Sequence, residues 1–193
     1  MKVGTAAADP GERATGQLTV TDLPVGGAER LPVSVLNGVD PGPVVWVTGA
    51  MHGDEPTGTA ATHDLAERVD VADLAGGVVC LPVMNPAGLR TNARTSYYHD
   101  DDPNRYFGRG DGDAESPPRT QQVICERIYD AVRETADALV SLHTSWVATH
   151  PYTIQPRVPY GEDRSVSDAA VLRDRLVELT EVFGMPVVNQ FPP

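Results

Sequence analysis

A chain of 193 residues with 40% hydrophobic content can bury a substantial core and would ordinarily form one domain. Its formal charge of −12, from 27 Asp and Glu against 15 Lys and Arg, argues against nucleic acid as a partner, because phosphate binding rests on cationic neutralisation. No apolar run approaches a membrane span and the opening MKVGTAAADPGERATG has no apolar core for a secretory signal, so the expected setting is cytoplasmic, without a membrane partner.

Taken in chain order, residues 1–16 read as a flexible N-terminal arm and 17–193 as the folded domain. Strands are predicted over 18–21 and 31–36, before any helix. The run PVVWVT then predicts a buried strand over 44–48, followed by a tight loop marked by Gly49 and Gly53 and a helix over 57–69. His52 and Glu55, in GAMHGDEPTG, therefore sit just past the carboxyl end of a strand. A further strand over 78–83 leads into NPAGLRTNARTSYYHDDDPNRYFG, a turn-rich loop carrying Arg90, Arg94, Asn104 and Arg105. Beyond a surface loop over 108–118 come a helix over 119–135, a strand over 138–142 that delivers His143 at its carboxyl end, a helix over 166–183 and a strand over 186–188. Strands first and alternation later indicate an α/β fold, expected as a three-layer α/β/α structure whose mixed sheet is antiparallel at the start and parallel afterwards.

Two imidazoles and one carboxylate make a His₂Glu set, which suits a four-coordinate zinc that keeps one position for water or substrate, the arrangement of a hydrolase. An H-x-x-E pair arises often by chance, a lone His after a strand is more often a hydrogen-bonded loop residue, and Glu55 before Pro56 could simply favour a helix N-terminus. What favours ligation is that all three lie at strand-to-loop junctions, where open α/β sheets place their ligands; two neighbouring parallel strands would bring them together. In the arginine-rich loop, planar guanidinium forks suit an anion clamp. On the loop alone, neutralisation of Asp100, Asp101 and Asp102 explains them equally well. Cys80 and Cys125 lack metal-ligand spacing and read as buried thiols.

In order and spacing, H-G-D-E-P-T-G, then N-P followed by an Arg and D-x-N-R-x-F, then L-H-T, resemble the zinc carboxypeptidase-like deacylases that include succinylglutamate desuccinylase and aspartoacylase. The likeness runs over most of the chain. It implies one Zn²⁺ held by His52, Glu55 and His143, Arg94 polarising the scissile carbonyl, and Asn104 with Arg105 clamping a substrate carboxylate; it gives Arg90 no such role. The implied activity is removal of an acyl group from an N-acyl amino acid or similar small carboxylated amide by activated water. A metallocarboxypeptidase acting on short peptides and a catalytically silent zinc-binding fragment stand as alternatives.

The resemblance also implies a general-base Glu well beyond the third ligand, in a stretch these 193 residues do not reach. Glu162, Glu178 and Glu181 follow His143, and none is assigned as that base; the last two fall on the polar face of a predicted amphipathic helix. Ser141 stands where the family usually has an Asp, and a hydroxyl orients an imidazole less firmly than a carboxylate. The family's C-terminal part would add strands, so an exposed sheet edge is expected to be covered by that segment or by another copy of the chain. Tyr97, Tyr98, His99 and His150 remain pocket-wall or surface residues. An acidic surface with Lys2 as the lone lysine suits a salt-rich cytoplasm, where ionic strength screens self-repulsion.

Overall fold

The computed structural model describes residues 1–23, 25–107, 118–144, 150–161 and 164–190, so Glu162 and nearly all of the predicted surface loop over 108–118 lie outside the described residues. The chain divides into two compact units, Met1–Ser145 and Trp146–Pro193.

The first unit opens with β1 (Lys2–Val3) and β2 (Ala6–Ala7), then β3 (Glu12–Asp22), β4 (Ala28–Asn37) and β5 (Asp40–Thr48). Helix α1 (Pro56–Arg68) leads to β6 (Ala75–Leu81), short α2 (Pro86–Thr91), α3 (Thr120–Thr135) and β7 (Ala138–Ser141). One five-stranded sheet runs in the order β3-β4-β6-β5-β7, with β3, β4 and β6 paired antiparallel and β5 parallel to both β6 and β7. That is the mixed sheet the order of elements predicted.

Residues 1–16 are not a flexible arm. Strands β1 and β2 pair as a hairpin, Thr5 N–H donates to Gln17 O at 3.0 Å, and Val3, Ala6 and Ala8 join the core. Gly4 has φ +56, and a Cβ there would lie 2.3 Å from Gln17 O, so the turn needs glycine. The hairpin escaped the sequence because two-residue strands show no alternation; their burial comes from docking on β3.

Trp46 explains the layering. It is wholly buried at the centre of β5 and its Nε1–H donates to Thr135 Oγ1 on α3 at 2.9 Å, so its face of the sheet meets that helix. On the same side cluster Leu31, Val33, Val35, Val79 and Leu81 with Ile124 and Ile128, whose spacing forms one helical face. Each such side chain contributes roughly 1.5–3 kcal/mol by leaving water. Leu36, Val47 and Cys80 point from the opposite pleat and are buried outside that cluster, on the side where α1 packs against β5 and β6.

This arrangement puts a topological switch at β5. The chain leaves β5 through α1 to reach β6 on one side, then crosses through α3 to reach β7 on the other. The crevice beyond the carboxyl ends of β5 and β7 is where such sheets accept ligands.

In the second unit, β8 (Thr153–Gln155) and β9 (Val187–Asn189) pair in parallel around α4 (Val166–Val182), whose N-cap Ser165 accepts from Asp168 N–H at 3.1 Å. Glu178 and Glu181 lie on the exposed side of α4, while Ile154 and Val188, paired in register, are both 48% exposed. No described helix is long and apolar enough to cross a membrane.

Candidate metal centre

The register of the parallel strands levels the site. Thr48 of β5 stands opposite Ser141 of β7, Leu142 N–H donates to Thr48 O at 2.8 Å, and Asp137 N–H donates to Val44 O, also at 2.8 Å. His143 thus emerges two residues beyond β7 beside the loop that follows β5.

That loop is held by backbone. Met84 N–H and Asn85 N–H donate to Gly49 O and Ala50 O at 3.0 and 2.9 Å, tying it to the exit of β6. Ala50 has φ 45, left-handed backbone disfavoured for an L residue, and these bonds hold it there. Glycines close the remaining gaps. A Cβ on Gly53 would lie 1.9 Å from the Gly88 carbonyl carbon of α2, one on Gly49 would lie 2.6 Å from the Gly58 carbonyl carbon of α1, and one on Gly58 would lie 2.9 Å from Leu142 O. Helix α1 can therefore sit against both strand ends, with Pro56 at its first turn and Glu55 at its N-cap position.

His52, Glu55 and His143 converge, each offering a ligand atom within 4.8 Å of the others. The Glu55 carboxylate lies between the rings: Oε1 is 2.9 Å from His52 Nδ1 and Oε2 is 2.8 Å from His143 Nδ1, with Thr144 N–H donating to Oε2 at 3.0 Å. His52 and Glu55 are buried, whereas His143 is about one-third exposed (35%), so one side of the cluster opens to solvent. Ser141 Oγ lies 3.3 Å from His143 Nε2.

Arg94, Asn104 and Arg105 come from the loop after α2, which contains a short 3₁₀ turn over Pro103–Arg105. Arg94 Nη1 is 3.5 Å from Glu55 Oε1, so this arginine is brought to the cluster. Arg94 Nη2 donates to Asp102 Oδ2 at 3.1 Å, and Arg105 Nη2 lies 3.7 Å from the same oxygen. Asn104 is exposed, and its backbone N–H donates to Asp102 Oδ1 at 2.9 Å. The arginines thus neutralise Asp102 and, through it, are gathered beside the His52–Glu55–His143 cluster.

Asp102 and Glu29 were not singled out from sequence. Asp102 Oδ1 is 3.0 Å from His52 Nε2. Burial pushes its carboxyl upward, but hydrogen bonds from His52, Asn104 N–H and Arg94 outweigh this and hold it below the usual carboxylate range. The signal was present in D-x-N-R, where Asp102 was read only as surface charge. Glu29 is buried on β4, accepts from Tyr98 OH at 2.8 Å and from Arg90 at 3.2 Å, and anchors the start of the same loop. Nothing in a strand sequence marked it. Burial of Tyr98, then its bond to Glu29, pushes the phenol above its ordinary value. Arg90 is therefore a structural cation, and His99 caps a tight turn through its N–H to Ser96 O at 3.2 Å.

The donor set fits a divalent metal: two ring nitrogens and a carboxylate from two adjacent strand ends, with one side open. Residues 41–188 match the family model described as the succinylglutamate desuccinylase/aspartoacylase catalytic domain. Among solved structures, the chain is similar to a succinylglutamate desuccinylase/aspartoacylase from Rhodobacter sphaeroides, at 27% identity over 95% of this chain and 55% of that one, with a TM-score of 0.72. An aspartoacylase family protein from Mesorhizobium loti matches at 22% identity over 94% and 54% of the two chains, TM-score 0.73. The product-bound ectoine utilization protein from Ruegeria pomeroyi matches at 24% identity over 79% and 43%, TM-score 0.59. The last two show likeness of fold alone. None of the curated proteins matches the sequence. The chain spans about half the length of the first two solved structures it matches.

Proposed function

This chain belongs to the succinylglutamate desuccinylase/aspartoacylase family, a family of hydrolases, and from that premise we propose that it serves a zinc-dependent hydrolase that removes an acyl group from an N-acyl amino acid or a similar small carboxylated amide. The observation that carries the reading is the convergence of His52, Glu55 and His143 within 4.8 Å, with Arg94 beside Glu55. Zinc held by these three residues would supply Lewis acidity towards an amide carbonyl and acidify a water at neutral pH.

The chain's own groups account for the rest. His52 and His143 turn their Nδ1 atoms to the centre, and the Asp102 carboxylate stands 3.0 Å behind the outer nitrogen of His52, where it can brace the ring. Arg94, half exposed beside Glu55, is placed to neutralise charge that grows on the carbonyl oxygen in the transition state. Asn104 and Arg105 supply donors for the substrate carboxylate, for which a guanidinium fork is the natural partner. The proton acceptor for the attacking water is a Glu outside these residues, as the family resemblance implies.

The same reading has the open edge of β7 covered by further polypeptide or by a second copy. It also assigns the acidic surface to a salt-rich cytoplasm, with neither nucleic acid nor membrane as partner. A second reading, a zinc-binding piece silent on its own, is favoured by the chain spanning only 55% of the Rhodobacter sphaeroides structure.

A screen of N-acetyl and N-succinyl amino acids and dipeptides, run with metal analysis, tests the proposal. One equivalent of zinc and turnover that Glu55→Ala abolishes would support the deacylase. Preference for dipeptides would favour a carboxypeptidase, and zinc without turnover the silent piece. Failure to bind zinc would overturn all three.

A further inference from the structure

Glu29 is a buried carboxylate on β4, a strand that supplies none of His52, Glu55 and His143. Its oxygens accept from Tyr98 OH at 2.8 Å, from Arg90 Nη2 at 3.2 Å and from Arg90 Nη1 at 3.4 Å. Arg90 Nη1 also donates to Tyr97 OH at 3.3 Å, and the rings of Tyr97 and Tyr98 lie 4.8 Å apart. Arg90 stands as far before Arg94 in the chain as Tyr98 stands after it. One side chain of the sheet therefore grips both ends of the segment 90–98, and Arg94, whose Nη1 lies 3.5 Å from Glu55 Oε1, sits at its midpoint.

We infer that Glu29 is a positioning residue: through Arg90 and Tyr98 it fixes the backbone that carries Arg94, and so sets where that guanidinium meets an anionic ligand. The inference rests on the metal-hydrolase reading. A carboxylate out of water is costly unless donors and a cation surround it, and Tyr98 and Arg90 supply both. The three side chains therefore hold together as a unit, since releasing either donor leaves a buried charge short of a partner. Pinning both ends of a short segment removes much of its conformational freedom. That matters for Arg94 because its side chain is 52% exposed, so the backbone beneath does more to place the guanidinium than packing around it.

The plain alternative is that the network only stabilises the fold. A double-mutant cycle separates the two, because a strap that acts through Arg94 has nothing left to position once Arg94 is removed. Tyr98→Phe deletes one bond to Glu29 and keeps the ring; Arg94→Ala deletes the positioned group while Arg105 remains as a cation. Succinate is the probe, a dicarboxylate one end of which stands in for the carboxylate that hydrolysis of an amide leaves beside Arg94. Its binding to the zinc-loaded protein is measured by calorimetry, zinc affinity by competition with a chromophoric chelator, and stability by a thermal melt.

Tyr98→Phe is expected to weaken succinate binding about 5-fold, within the range spanned by loss of one hydrogen bond, and to leave zinc affinity within about 2-fold of wild type, as for a site that does not share its partners. In the Arg94→Ala background the same substitution should cost less than about 1.5-fold. Arg90→Gln, made at an exposed position that folding tolerates, should repeat the pattern from the other end of the segment. If Tyr98→Phe and Arg90→Gln lower the melting temperature but bind succinate as wild type does, the network is a stabiliser and the inference is wrong. It is equally wrong if the loss persists in full without Arg94, or if the zinc-loaded wild type does not bind succinate. Failure of the wild type to bind zinc would overturn the hydrolase reading itself, and is recognised before any variant is measured.

Discussion

The two halves of the candidate site are held by different forces. His52, Glu55 and His143 stand at strand ends locked by backbone hydrogen bonds and by glycine contacts that leave no room for a methyl group. Arg94, Asn104 and Arg105 ride on a loop whose inward fastening is mostly side chain to side chain, through Glu29 and Asp102, with half-exposed guanidinium groups. The first half is set by shape and the second by charge. Metal affinity should therefore respond to steric change and barely to salt or charge, and affinity for an anion should do the reverse.

The most damaging test of that contrast is Gly53→Ala. Its methyl would fall 1.9 Å from the Gly88 carbonyl carbon, backbone on both sides, so the loop bearing His52 and Glu55 must move. Destabilisation of about 3 kcal/mol is expected from overpacking, with zinc affinity falling at least about 10²-fold, since ligand geometry tolerates only fractions of an ångström. Chelator competition and a thermal melt check it. Gly161→Ala, where nothing among the described residues lies within 4 Å of the added methyl, is the control and should leave both unchanged.

Glu29→Gln attacks the other half. The variant keeps the shape of the side chain but removes the charge that pairs with Arg90 and accepts from Tyr98. Arg90 is largely exposed, so the cost is modest, about 1–2 kcal/mol for weakened bonds at a buried acceptor. Succinate affinity should fall about 5-fold as the loop loosens, an effect of under about 1 kcal/mol, while zinc affinity stays put. Equal losses of both would show that the loop also positions the metal ligands and would erase the distinction.

How far the sequence foresaw the structure follows the same division. The parallel strands, the helices between them and the meeting of His52, Glu55 and His143 at neighbouring strand ends were legible because short apolar runs ending in glycine loops are local signals, and their register follows from the strand pattern. The N-terminal hairpin, α2 and β8 were not, since each is too short to show a period and is stabilised by what it docks on. Asp102 was visible but misread, because a triplet of aspartates looks like surface charge until one of them is seen between an imidazole and two arginines. Glu29 could not have been read: a charged residue in a strand is ordinarily exposed, and its burial depends on a partner 61 residues away.

The buried thiols allow the two halves to be watched separately. Burial pushes Cys80, on β6, and Cys125, on α3, up to about 11, so at pH 8 only about 10⁻³ of either is thiolate and alkylation must wait for local opening. Cys125 Sγ faces Pro103 O at 3.6 Å and therefore reports on the arginine-bearing loop. Glu29→Gln should speed iodoacetamide labelling of Cys125 several-fold and leave Cys80 alone, whereas Gly53→Ala should accelerate Cys80 at least as much. Mass spectrometry of the digested protein resolves the two, and labelling that changes in parallel would mean the unit opens as one.

Salt is the gentlest probe and separates the halves without any substitution. Raising ionic strength from about 0.1 to 1 M shortens the Debye length from about 10 to 3 Å, which weakens exposed pairs such as those of Arg94 and Arg105 with Asp102 and also competes with an anionic ligand. Succinate affinity should fall a few-fold over that range. The melting temperature should move the other way, because a chain carrying −12 repels itself and added ions relieve that strain. Zinc affinity, set by donors within 4.8 Å of one another and mostly buried, should change least. A chain whose melting temperature ignores salt would remove the case for a salt-rich setting. If zinc and succinate affinities fell together, charge rather than packing would be holding the strand-end residues in place.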